Sequence, residues 1–251
     1  MRVIVVENKR EMGRRAADLV VAEMARHHNP VLGLATGSTP LPLYEDLIRR
    51  HRDDGLDFST CITFNLDEYV GLEGDHPQSY RHFMNEHLFD HVNVNKRNTH
   101  VPSGNTMDLD RIEAICEEYE QRIDDVGGID LQVLGIGGNG HIGFNEPGSS
   151  LGSLTRVKTL TTKTRQDNAR FFDSFDEVPT YAITMGIGTI LNARRVLLLA
   201  SGENKADAVA AALEGPVTAS CPASTLQLHR YATFVIDSAA AGRLQLEGYE
   251  H

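Results

Sequence analysis

The chain has 251 residues, 41% of them hydrophobic, and a formal charge of −11 at pH 7, which together suit a globular domain with a sizeable core and exclude disordered and fibrous classes. The negative charge argues against a nucleic-acid partner, and no apolar run approaches the roughly 20 residues that span a bilayer, so no membrane role is expected. The first apolar stretch, Val3 to Val6, runs straight into Glu7-Asn8-Lys9-Arg10 and is too short for a signal peptide, so the expected location is cytoplasmic.

Along the chain, short apolar runs alternate with amphipathic stretches. Val3 to Val6 reads as a strand, and Met12, Ala16, Leu19, Val20 and Met24 follow at helical spacing. Val31 to Ala35 is a second strand, with a helix burying Leu43, Leu47 and Ile48 after it. Cys61 to Asn65 is a third strand, then come a helix near Tyr80 to Phe89 and another carrying Leu109, Ile112, Ile115, Tyr119 and Ile123. Leu131 to Ile136 is the most hydrophobic strand of this first half and belongs at the centre of a sheet. Val196 to Ala200 and Thr233 to Ile236 are later strands, with a helix over Lys205 to Leu213 between them.

This alternation predicts an α/β fold: an open, mostly parallel sheet with helices on both faces, a Rossmann-like three-layer arrangement. No Pro/Gly/Ser linker, repeat or low-complexity tract divides residues 1–251, so a single domain is expected. Ligands of such sheets bind beyond the carboxyl ends of the strands, so the residues just after each strand are the candidates.

Three strand ends carry chemistry. After Val31 to Ala35 comes Thr36-Gly37-Ser38-Thr39-Pro40, which reads either as a plain strand-to-helix turn or as a phosphate loop at a helix start; it lacks Walker spacing. After Cys61 to Asn65 comes Leu66-Asp67-Glu68-Tyr69. Its adjacent carboxylates are either a solvated acidic turn or a pair that raises its own pKa values, as a general base requires. After Leu131 to Ile136 comes Gly137-Gly138-Asn139-Gly140-His141, with Glu146 five residues beyond the histidine. This reads either as a structural histidine in a glycine turn or as a proton-transfer group, since a histidine titrates near neutral pH and a nearby amide or acid can fix its tautomer.

The three cysteines, Cys61, Cys116 and Cys221, are far apart and read as buried free thiols. Among the eleven histidines, His87 and His91 share a helical spacing of four, but HExxH is absent and no metal site is expected.

Taken together, LATGSTPLPLY, TFNLDEYVGL, HPQSY, GIGGNGHIGFNEPGSSL, RFF and TLQLH resemble the glucosamine-6-phosphate deaminase family, in the expected order from Leu34 to His229. The resemblance implies conversion of glucosamine 6-phosphate to fructose 6-phosphate and ammonia, with no cofactor. It implies Asp67 as the base that moves the C2 proton to C1, and His141 as the group that opens the sugar ring, supported by Asn139 and Glu146. Thr36, Gly37, Ser38 and Thr39 match the loop that holds the substrate phosphate, and Arg170 and Lys205 match cations reaching it. Arg170 lies in a polar segment expected to form a mobile lid near 161–183.

Some members carry aspartate where this chain has Asn139. An amide can orient the imidazole but cannot stabilise its cation as a carboxylate would, which leaves Glu146 as the charged partner. Ser149, Ser150, Arg156, Lys158 and Thr159 match residues that bind the activator N-acetylglucosamine 6-phosphate in allosteric members, or else simply pack a turn and a strand. The chain ends at His251, short of the tail that some allosteric members use there. Family members differ in assembly, and a homo-oligomer is among the arrangements implied. Two rival readings share part of the pattern. A 6-phosphogluconolactonase would have a related fold but lacks a match to FNLDEYVGL. A non-catalytic sugar-phosphate sensor would be expected to carry a DNA-binding segment ahead of the first strand, and would not need both Asp67 and His141.

Overall fold

The computed structural model describes residues 1–169, 172, 174–245 and 249, and the strands and helices that the apolar spacing predicts are present in that order, with further elements between them. β1 (Arg2–Val6) leads into α1 (Lys9–Met24), which begins where the Asn8 side chain accepts the Glu11 N–H and so satisfies a free donor of the first turn. β2 (Val31–Leu34) and α2 (Leu41–Asp54) follow, with Pro42 in the first turn of the helix, where a missing N–H costs little. Next come β3 (Ile62–Asn65), β4 (Asp67–Tyr69) and α3 (Tyr80–Met84), which widens into one π-helical turn over Asn85–Phe89. β5 (Thr99–His100), α4 (Leu109–Asp125) and β6 (Leu131–Leu134) lead to the glycine-rich stretch. After it come β7 (Arg156–Thr159), α5 (Thr162–Asn168), β8 (Tyr181–Thr184) and α6 (Ile187–Leu191). β9 (Arg195–Ala200), α7 (Ala206–Leu213) and β10 (Ala232–Asp237) follow.

Seven strands pair in the order β1-β10-β9-β6-β2-β3-β5, all in parallel. β6 is the middle strand and is buried at every position, as its composition predicts. Because side chains alternate across a strand, Val3 and Val5 join one apolar cluster and Ile4 the other, and Leu198 opposes Leu197 and Leu199 in the same way. The first cluster packs α4, α6 and α7 against the sheet, the second α1 and α2. The expected α/β three-layer architecture is therefore the one observed.

A second, three-stranded antiparallel sheet, β4-β8-β7, was not anticipated. It corrects the reading of Asp67-Glu68-Tyr69 as a turn: the three residues are buried and form β4. The chain leaves the large sheet at Leu66, whose N–H donates to Leu34 O and whose carbonyl accepts the Met185 N–H at 2.7 Å. The end of the segment expected as a lid, 181–183, lies in β8, paired on both sides.

Beyond β2 the sheet grows through β3 and β5 in one direction, and beyond β6 through β9 and β10 in the other. Neighbouring strands with diverging connections leave a crevice at their carboxyl ends. The three cysteines are buried and free, as expected. Among the described residues no helix is long and apolar enough to cross a membrane.

Candidate active site

A cavity of about 550 Å³ opens at that crevice, and the ends of β2, β3 and β6 all reach it. Thr36, Gly37, Ser38 and Thr39 form one wall. Gly37 has φ +88°, a left-handed conformation that glycine adopts without strain. The Tyr44 hydroxyl of α2 donates to Ala35 O at 2.5 Å and fixes the start of this loop. α2 has no side-chain cap, so its first-turn N–H groups remain available to an anion.

β4 brings Asp67 to the opposite wall. Its neighbour Glu68 points away and accepts three backbone N–H groups, those of Tyr69 (2.8 Å), Tyr80 (2.9 Å) and Arg81 (3.0 Å), tying β4 to the start of α3. Burial pushes the Asp67 carboxyl up to about 8, and the Glu68 charge adds to this. Glu68 itself is raised to about 7 by burial, with its three backbone donors working in the other direction. Tyr80, which also lines the cavity, stacks on Phe144 at 6.2 Å and tilts against Tyr69 at 4.8 Å. Tyr80 and Phe144 thus form the aromatic part of the lining that Asp67 shares.

The β6 loop supplies His141, whose Nδ1 lies 2.7 Å from Asn139 Oδ1. Asn139 in turn donates through Nδ2 to Glu146 Oε2 at 2.8 Å, and the Thr164 hydroxyl of α5 donates to Glu146 Oε1 at 2.7 Å. His141 first, then the Thr164 and Asn139 donors, hold the Glu146 carboxyl down at about 2 despite its partial burial. A Cβ at Gly137 would fall 2.2 Å from His141 Cε1, so only glycine there lets the ring lie against the backbone.

The His141 loop and Asp67 share an anchor. Thr184 of β8 is the register partner of Asp67, and its hydroxyl accepts the Phe144 N–H at 3.1 Å. Asn145, fully buried, donates to Ile142 O and Met185 O and so joins the loop to the same strand. Asp67 and the imidazole are thereby held in one frame. Lys205 and Asn204 close the last side of the cavity, on a short 3₁₀ turn at Glu203–Lys205. That turn is fixed by the buried Asp237 at the end of β10, which accepts from Ser201 Oγ at 2.5 Å and from Gly202 N–H at 3.0 Å.

Comparison with known proteins decides the family. A family model for glucosamine-6-phosphate isomerases/6-phosphogluconolactonase matches residues 7–235. Glucosamine-6-phosphate deaminases of Shewanella loihica and Cellvibrio japonicus are each 54% identical over the whole of this chain, which covers 93% and 95% of theirs. A solved structure of a monomeric glucosamine-6-phosphate deaminase superposes with a TM-score of 0.93 at 47% identity, over 97% of this chain and 100% of that one. The chain belongs to the glucosamine-6-phosphate deaminase family. A 6-phosphogluconolactonase from Trypanosoma brucei, 18% identical with a TM-score of 0.79 over 97% of this chain and 98% of its own, shares the fold alone.

Against the pattern of that deaminase family, the structure brings together Thr36 to Thr39, Asp67, Asn139, His141, Glu146 and Lys205 around one cavity. Arg170 lies outside the described residues. Tyr80 and Phe144, inside the matched strings but given no role there, and Thr164, Asn204 and Asp237 are additional contributors. Thr164 sits in the polar run Thr162–Asn168, which has no apolar spacing to mark it as a helix. The residues matched to an activator site are less unified. Arg156 is half-buried and donates to Asn145 Oδ1 at 2.8 Å, Ser149 is buried in the turn before β7, and Lys158 and Thr159 lie on the outer strand of the small sheet. Among the described residues no hydrogen bond joins Ser149 or Ser150 to Arg156, Lys158 or Thr159.

Proposed function

We propose that this chain converts glucosamine 6-phosphate and water to fructose 6-phosphate and ammonia in the cytoplasm. One observation carries the reading: a buried carboxyl with a raised pKa and an imidazole on an amide–carboxylate chain line one cavity together with the Thr36 to Thr39 loop at the start of a helix. In this reading the Thr36 to Thr39 loop, Lys205 and Arg170 hold the phosphate, which fixes one end of a flexible open chain and orients the other.

His141 moves a proton between the anomeric hydroxyl and the ring oxygen, so that the pyranose opens to an aldehyde at C1. Asp67 then takes the C2 proton. The C2–H electron pair forms a C1=C2 double bond, and the aldehyde oxygen gains a proton to give an enolamine. The same carboxylic acid returns its proton to C1, leaving an iminium at C2. Water adds there and ammonia leaves, giving the ketose. Burial makes Asp67 a stronger base than an exposed carboxylate, and such positioned bases contribute about 10²–10⁴-fold. The segment around α5, whose Thr164 rests on Glu146, acts as a lid over the sugar.

The test is a coupled assay for ammonia together with direct measurement of fructose 6-phosphate. Equimolar release from glucosamine 6-phosphate is expected; hydrolysis of 6-phosphogluconolactone in its place would overturn the reading. Adding N-acetylglucosamine 6-phosphate to the same assay tests Ser149, Ser150, Arg156, Lys158 and Thr159 as an activator site, where a lowered half-saturation is expected.

A further inference from the structure

Four arginines converge on a second cavity, of about 290 Å³, at the other end of the large sheet. Arg2 opens β1 and Arg195 opens β9, Arg230 lies two residues before β10, and Arg26 follows α1. All four line the cavity, with Glu23 as the only carboxylate among its described lining residues. The substrate cavity lies at the carboxyl ends of these strands. A six-residue strand such as β9, at about 3.3 Å per residue, sets the two about 20 Å apart.

The arginines are held in place. Glu23, 5% exposed, accepts from Arg26 Nη1 at 3.0 Å and pairs with Arg195 Nε at 3.0 Å, so one buried carboxylate orients two guanidinium groups. The Arg195 guanidinium lies 5.0 Å from the centre of the Tyr231 ring and that of Arg230 lies 5.2 Å from it, cation–π contacts that restrict both side chains. A guanidinium carries five N–H donors, and a single contact to Glu23 leaves most of those on Arg26 and Arg195 unspent. Arg26, Arg195 and Arg230 against the single carboxylate of Glu23 also run counter to a chain whose formal charge is −11. A surplus of oriented Arg donors around one open cavity matches the planar oxygens of phosphate and carboxylate groups. The small volume and the overall negative charge favour a compact anion over a polyanion.

We propose that this cavity is a second anion site, separate from the substrate site, which takes a compact multiply charged anion bearing phosphate or carboxylate groups. The experiment is calorimetric titration of the full chain with inorganic pyrophosphate and, separately, with citrate. The wild type should show a saturable site with Kd below about 1 mM that persists in Lys205→Ala. Replacing Arg26 and Arg230 together by Ser should weaken that site at least about tenfold, the loss expected from charge-assisted contacts, and leave kcat/KM for glucosamine 6-phosphate unchanged. Arg230→Ser alone, at an exposed position, gives the same test if the double variant is unstable. Saturation by pyrophosphate alone identifies a phosphate site, and by citrate alone a carboxylate site. Binding that is unaltered in the arginine variants, that vanishes in Lys205→Ala, or that does not saturate with either anion would overturn the proposal.

Discussion

His141 Nδ1 lies 2.7 Å from Asn139 Oδ1 and 3.6 Å from Glu146 Oε2, so the amide rather than the carboxylate makes the direct contact. The arrangement settles the tautomer. Glu146 is ionised above about pH 2 and can only accept, so the Asn139 NH₂ must face it and the amide oxygen must face the imidazole. Nδ1 then carries the proton and Nε2 is left as the basic nitrogen.

Removing the bridge should therefore cost more than changing it. Asn139→Ala frees the imidazole and should lower kcat/KM about 10²-fold, toward the lower end of a general-base contribution. Asn139→Asp still accepts from Nδ1 but deprives Glu146 of a donor and sets a second carboxylate beside it. That raises the Glu146 pKa from about 2, so activity near neutral pH should stay within about tenfold while the acid limb of the profile moves up. Steady-state kinetics of both variants from pH 5 to 9 decide the matter.

A second prediction concerns the carboxylate pair. Burial first, and the Glu68 charge second, place the Asp67 carboxyl at about 8 in the free enzyme, so kcat/KM should climb through roughly that pH as Asp67 ionises. Glu68→Gln removes the charge but not the burial. The limb should move to lower pH and still lie above the ordinary carboxylate range near 3.9. An unmoved limb would mean that another group controls it.

The same shift has a stability consequence of definite sign. An acid whose pKa is raised on folding holds its proton better in the native state. Its contribution is complete below the unfolded value of 3.8 and is lost as pH climbs through about 8. Asp67→Asn, which keeps the shape of the neutral acid, should match the wild type near pH 4 and be more stable near pH 9, by on the order of 2–4 kcal/mol. Thermal melts at the two pH values should show the gap opening, by about 2–4 °C for each kcal/mol in a chain of this size.

Much of the frame was legible because strands buried on both faces must be apolar. β6 carries Leu131, Val133 and Leu134 and sits at the centre of the sheet, as its composition predicts. β4 (Asp-Glu-Tyr) and β7 (Arg-Val-Lys-Thr) carry no apolar alternation, since one bears the site and the other is an outer strand. Their sheet was invisible for that reason. The acid pair looked like a surface turn when read alone, and its burial follows from contacts with β8 more than a hundred residues away. Asp237 went unnoticed because it acts through a neighbour that only the fold supplies, whereas Tyr80 and Asn204 face the cavity themselves.

Asp237 yields a fourth prediction. It touches no cavity atom, yet it holds Ser201 and Gly202 at the start of the turn that presents Lys205. Lys205→Ala should raise KM for glucosamine 6-phosphate about 10–100-fold, as expected for a charge-assisted contact of about 1.5–3 kcal/mol. Asp237→Asn keeps the volume but weakens both anchoring bonds, and should raise KM in the same direction by a smaller factor with kcat nearly unchanged. A loss confined to kcat would refute the link between this anchor and the phosphate.

The last prediction separates the roles proposed for Asp67 and His141. Asp67 and His141 come from different strand ends but share Thr184 as an anchor, so each can face its own part of one sugar without moving the other. Asp67→Asn removes the basic oxygen and should abolish exchange of the C2 hydrogen with solvent deuterium, with ligand binding largely intact. His141→Gln keeps a polar group near Asn139 but has no titrating nitrogen, so it should slow ring opening and leave the C2 step competent. Its defect should shrink when the substrate analogue is supplied already in open-chain form, whereas the Asp67→Asn defect should not. Either loss should approach about 10²–10⁴-fold, well above assay noise. Deuterium incorporation followed by NMR, with cyclic and acyclic ligands for both variants, gives the four values needed. Normal C2 exchange in Asp67→Asn would transfer the carbon base to His141, and equal defects of His141→Gln on both ligands would remove ring opening from its role.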